Sequence, residues 1–213
     1  MTEVEPVVFQ TPLMESLLNQ LDENRRKKNN LTKGMMFFGH SASGKSSLAK
    51  QLRDALHQRG IQGIKVWDSD NALLEAYNKD KSADMRVTSI ASLYQILGST
   101  QFRVQEARLI LDFFEQKSSA PLSLIALGGG AVIFLSSFCK RQWEGLTHDY
   151  VKVTLQRDPQ QSLLSMIQRT QKEGRQALYQ GKQHPHLGYW SQKAALRDSV
   201  YFSTTDRIYR LSY

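Results

Sequence analysis

The sequence predicts an α/β domain, a parallel sheet covered by helices on both faces. Two observations lead there. Short apolar runs alternate along the chain with stretches of helical periodicity. At one junction the apolar run Met35–Phe38 passes into Gly39–Ser46 and then an amphipathic stretch, the strand–loop–helix order of a phosphate-binding loop. The 213 residues suffice for one well-buried domain, and 40% hydrophobic with 23% charged residues suits an ordinary globule.

Taken in order, residues 13–28 are expected to form a helix with Leu13, Met14, Leu17, Leu18 and Leu21 on one face, ended by Asn29-Asn30. Residues 1–33 thus read as an extension carrying one amphipathic helix, and 34–213 as the phosphate-loop domain. The apolar runs Met35–Phe38, Ile64–Trp67, Leu122–Leu127, Tyr150–Leu155 and Arg207–Leu211 are the expected strands. Helices are expected at Lys45–Arg59, Ile90–Gly98, Gln101–Gln116 and Pro159–Lys172. Residues 173–189 are polar and rich in Gly, Gln and His, the composition of a mobile loop. Its His184-Pro185-His186 reads as a solvated pair rather than a metal site.

Charge and cysteine usage narrow the setting. The longest apolar stretches hold about half a dozen residues, against the roughly 20 a spanning helix needs. The N-terminus has no apolar segment before a cleavage site, and the single Cys139 has no intramolecular partner, so a cytoplasmic monomer is expected. Residues 1–33 carry five acids and five bases, so the net charge of +8 belongs to the domain that follows. That surplus asks for an anionic partner. It shows no basic-aromatic interleaving, so a polyphosphate and an acidic small molecule are expected and nucleic acid is not.

Gly39-His40-Ser41-Ala42-Ser43-Gly44-Lys45-Ser46 fits G-x-x-x-x-G-K-[ST], with Ser47 following. Backbone N–H groups of Gly39, Ser41, Ala42, Ser43, Gly44 and Ser47 can turn toward phosphates, aided by the helix N-terminus. Lys45 is expected on the β- and γ-phosphates, and the Ser46 hydroxyl on Mg²⁺. The second strand ends in Asp68-Ser69-Asp70, whose carboxylates at i and i+2 face one site. One of them suits the metal shell and the other an acceptor hydroxyl; alternatively Asp70 simply caps the next helix. Gly128-Gly129-Gly130 after a buried strand removes three Cβ atoms and lets a ligand approach backbone N–H groups. Arg103, on a helix with Phe102, Leu109, Ile110 and Phe113 inward, suits a substrate carboxylate or an i,i+3 pair with Glu106.

The first seventy residues somewhat resemble adenylylsulfate kinase, but later segments resemble shikimate kinase. Gln101-Phe102-Arg103-Val104-Gln105-Glu106 is similar to that family's F-R-x-x-E, and Leu127-Gly128-Gly129-Gly130-Ala131-Val132 to its G-G-G-x-V turn. Arg169-Thr170 with Arg175-Gln176-Ala177-Leu178 resembles its lid, and Arg197-Asp198-Ser199-Val200-Tyr201 its R-x-x-x-Y segment. The match is collinear over residues 34–206. The resemblance implies a five-stranded parallel sheet in order 2-3-1-4-5 and ATP-dependent phosphorylation of a ring hydroxyl of shikimate. It implies that Asp70, Arg103, Gly129, Gly130 and Arg197 hold the acid, that Asp68 serves the metal, and that Arg175 closes with the lid on the transferring phosphoryl. Lys45, Asp70 and Arg175 are then the catalytic set. A ligand-sensing relative without turnover, or a kinase for another small hydroxy acid, is the alternative.

Three departures from the family pattern stand out. The lid reads R-Q-A-L where the family usually has R-P-L-L, about 33 residues precede the first strand, and Tyr213 follows directly on the last one. With no closing helix after that strand, the N-terminal helix is expected to cover the apolar surface it leaves; alternatively residues 13–21 belong to a solvated or partner-binding tail.

Overall fold

The computed structural model describes residues 11–26, 32–41, 43–116, 122–158, 161–162, 164–165 and 187–211. Helix α1 (Thr11–Arg26) precedes β1 (Gly34–Phe38) and α2 (Lys45–Gln58). Next come β2 (Ile64–Asp68), α3 (Ser69–Asn78), a 3₁₀ turn at Ala83–Met85, and α4 (Ile90–Glu115). The chain continues through β3 (Leu122–Ala126), α5 (Ala131–Phe138), α6 (Lys140–Thr147) and β4 (Tyr150–Arg157). It ends with α7 (Leu187–Thr204) and β5 (Arg207–Leu211).

The five strands form one parallel sheet in the order β2-β3-β1-β4-β5, as the resemblance implied. Central β1, Gly-Met-Met-Phe-Phe, is buried throughout, because a strand between two parallel neighbours meets helices on both faces. Its side chains alternate between two cores. Met35 and Phe37 join Leu48, Leu52 and Leu56 of α2 together with Leu17, Leu18 and Leu21 of α1. Met36 and Phe38 face Ala107 and Ile110 of α4, Val132 and Leu135 of α5, Trp143 of α6 and Tyr201 of α7. A satellite cluster of Leu73, Leu93 and Phe102 ties α3 to α4.

Some local expectations are corrected. The two helices expected at 90–98 and 101–116 run together as α4, interrupted where Gly98 takes φ 71° and ψ 167°. Glycine tolerates that left-handed φ and lets the helix bend. The polar stretch expected to loop through 189 gives way to α7 at Leu187. Of the expected helix 159–172, Gln161, Ser162, Leu164 and Ser165 are helical, and the rest, like residues 173–186, lies outside the described residues. Among the described residues no helix is long and apolar enough to cross a membrane.

Candidate active site

The carboxyl ends of β1, β2 and β3 open onto one cleft, the usual ligand position in a doubly wound sheet. Ser41, Lys45, Ser46, Asp68, Asp70 and Gly129 are among its lining residues. The loop after β1 is shaped by its glycines. A Cβ on Gly39 (φ 140°) would sit 2.5 Å from the Leu155 carbonyl oxygen, so no side chain fits there. Gly44 (φ 87°) makes the left-handed turn into α2 and leaves that helix without a side-chain cap, and Gly44 with Lys45, Ser46 and Ser47 of the first turn lines the cleft. Lys45 Nζ donates to the carbonyl oxygens of Gly39 (3.0 Å) and His40 (2.8 Å), with Ser43 Oγ at 3.5 Å. Ala42 lies outside the described residues.

Opposite the loop, the Ser46 hydroxyl donates to Asp68 Oδ2. Asp68 Oδ1 accepts from the backbone N–H of Asp70 (2.9 Å) and Asn71 (3.2 Å). The cap of α3 is therefore Asp68, not Asp70, because the chain turns helical at Ser69, two residues earlier than a cap at Asp70 would place it. Asp70 is left in the first turn, on the cleft wall.

The glycine turn after β3 is wedged among charged groups. Gly128 N–H donates to the buried Ser69 hydroxyl (2.7 Å). A Cβ on Gly128 would collide with Glu106 Oε1 and Asp70 Oδ1, and one on Gly130 with the Arg103 guanidinium. At Gly129 it would lie 3.3 Å from Ser41 N and 3.5 Å from an Arg197 terminal nitrogen. Three bare backbone positions thus bring Asp70, Glu106, Arg103, Arg197 and the phosphate loop to one place. A family model for shikimate kinase matches residues 41–211, four fifths of the chain and every segment of this site from Ser41 on.

The chain belongs to the shikimate kinase family. Membership makes it an ATP-dependent small-molecule kinase. Compared with curated protein sequences, it finds no match.

The sequence pattern of this kinase understated its Arg103–Glu106 pair. The ion pair forms, but Glu106 is 1% exposed, so it is not a surface contact worth a few tenths of a kcal/mol. The guanidinium also lies over the rings of Phe102 (5.0 Å) and Tyr94 (6.0 Å), which fixes its plane. Burial pushes the Glu106 carboxyl up to about 7, with Asp70 adding to the rise and Arg103 and Arg197 opposing it.

The folded state therefore holds this proton more tightly than the unfolded chain, whose carboxyl titrates near 4.5. Wild-type stability should fall as pH climbs through that window, since the native protein there binds more protons. Glu106→Gln lacks the transition, so its melting temperature should gain on the wild type between about pH 4.5 and 7. Parallel melting curves across that range would show that Glu106 does not titrate so.

Two further contacts were not read from the sequence. The Tyr201 hydroxyl donates to the Gly129 carbonyl oxygen, and burial, eased by Arg197, holds its pKa up to about 12, so it stays a donor. His40 meets Asp198. The R-x-x-x-Y segment contained Asp198 and Tyr201, but only its arginine carried an obvious task. Arg175, His184 and His186 lie outside the described residues.

Proposed function

We propose that this kinase transfers the terminal phosphoryl of ATP to a ring hydroxyl of shikimate. The observation that carries the reading is the convergence of Arg103 and Arg197 on the glycine turn beside Asp70, in the cleft reached by Lys45. Two guanidinium groups suit a carboxylate, and a neighbouring carboxylate suits a hydroxyl that must lose a proton. In this reading Arg103 and Arg197 hold the acid, with the N–H groups of Gly128, Gly129 and Gly130 against its ring substituents. Asp70 orients the acceptor hydroxyl and accepts its proton.

The nucleotide's phosphates lie along Gly39, Ser41, Ala42, Ser43, Gly44, Ser46 and Ser47, with Lys45 on the β- and γ-groups. The Ser46 hydroxyl and Asp68 carboxylate, hydrogen-bonded to each other, are a hard oxygen pair that fits Mg²⁺, which takes few protein ligands and completes its shell with phosphate and water. Bound there, the ion would offset phosphate charge. The segment 173–186, ahead of α7, is the proposed lid, bringing Arg175 to the transferring group. Catalysis then rests on positioning and charge neutralisation.

A coupled assay of ADP release with and without shikimate tests the substrate. Calorimetry on Arg103→Ala and Arg197→Ala tests the clamp: each should weaken acceptor binding by roughly 1.5–3 kcal/mol while ATP binding holds. Equal losses for both ligands would refute the clamp. Turnover with another hydroxy acid but not shikimate would keep the clamp and replace the substrate.

A further inference from the structure

His40 occupies a position that the phosphate-loop pattern leaves open to any residue, yet it is 3% exposed and specifically partnered. Its Nε2 lies 2.8 Å from Asp198 Oδ1. A carboxylate only accepts, so Nε2–H is the donor. The imidazole also meets Tyr201 edge to face, with centroids 5.6 Å apart and planes at 67°. Tyr201 in turn bonds the Gly129 carbonyl oxygen and reaches within 3.5 Å of the Gly39 carbonyl oxygen. Asp198 and Tyr201 flank the turn of α7 that follows Arg197, whose guanidinium rests against Gly129. His40 therefore spans from the nucleotide loop to the helix that presents an acceptor arginine, 158 residues further along the chain.

We propose that His40 is a positioning residue for the acceptor: through Asp198 it holds α7 so that Arg197 stays on the glycine turn, and it links the phosphate loop to the acceptor site. The inference rests on the reading that Arg197 binds the acceptor. Its consequence is unusual for the phosphate loop, because a substitution there should disturb the acceptor and spare the nucleotide. Ser41, Gly44, Lys45 and Ser46 are among the residues lining the cleft, whereas the buried His40 ring meets Asp198.

The test compares His40→Leu, Asp198→Ala and Asp198→Asn in the full chain. Asparagine keeps an oxygen for Nε2–H, whereas leucine and alanine end the bond. His40→Leu and Asp198→Ala should each raise the acceptor KM roughly tenfold, the scale of one lost charge-assisted hydrogen bond. KM for ATP should hold, and Asp198→Asn should restore most of the acceptor KM. Equal rises in both KM values, or no rise, would overturn the proposal. Should His40→Leu not fold, the two Asp198 variants supply the same readout, since that side chain is 20% exposed and on the outer side of the contact.

Hydrogen exchange without any acceptor separates this proposal from the choice of substrate. Residues 195–204 should exchange faster in His40→Leu and Asp198→Ala than in the wild type and Asp198→Asn. Unchanged exchange would sink the positioning role even if shikimate is the substrate. Faster exchange would uphold it even if shikimate is not.

Discussion

Lys45→Ala is expected to abolish phosphoryl transfer while the protein stays folded. In the structure its ammonium is held by the Gly39 and His40 carbonyl oxygens, at 3.0 and 2.8 Å, at the mouth of α2. These are the loop's own acceptors, and they keep the lysine beside the place where phosphates would sit. Removing them costs about 1 kcal/mol per net hydrogen bond, a melting shift of a few degrees in a chain of this size. The catalytic loss should be far larger. A single preorganised donor at a developing charge is worth ~10²–10³ in rate, and a full positive charge on the β- and γ-phosphates at least as much. Turnover measured beside a melting curve decides the matter. Near-normal turnover with an unchanged melt would remove the nucleotide-site assignment.

The features that the sequence disclosed are the contiguous ones. All five strands were legible as short, largely apolar stretches between helical patterns, and the central one, Met35–Phe38, is an unbroken apolar run because both its faces are covered. The phosphate loop and the triple glycine were legible because the chemistry needs neighbouring residues. What stayed hidden has no local pattern. In α5, Ala-Val-Ile-Phe-Leu opens with an apolar run that has no polar interruption, which helical and strand periods fit equally. In α6, eight residues bury Trp143 and Thr147, too few to show a stripe. The choice between Asp68 and Asp70 as helix cap turned on two residues of backbone. Ser69 on Gly128, Tyr201 on Gly129 and Asp198 on His40 join residues 59, 72 and 158 positions apart, and only the folded sheet brings them together.

Deleting residues 1–30 should cost a large share of the protein's stability. Leu17, Leu18 and Leu21 of α1 are buried in the core that contains Met35 and Phe37 of β1 and Leu48, Leu52 and Leu56 of α2. Leu13 and Met14 pack on its edge, and Ser16 and Tyr209 of β5 share a hydrogen bond of 3.0 Å. Three fully buried leucines are worth about 1.5–3 kcal/mol each before the cost of ordering the helix. Their sum rivals the ~5–15 kcal/mol by which a domain is stable at all. The truncation also uncovers the core that α1 shares with α2, the helix that begins with Lys45, so apolar surface and the nucleotide loop are affected together. Aggregation, or a fall in melting temperature on the order of 10 °C or more, is the expected outcome. Leu17→Ala is the graded version, leaving a cavity worth ~2–5 kcal/mol without removing the helix. A soluble, fully active truncation melting with the wild type would show that α1 contributes nothing to the fold, and an unchanged Leu17→Ala would show the same for its leucine stripe.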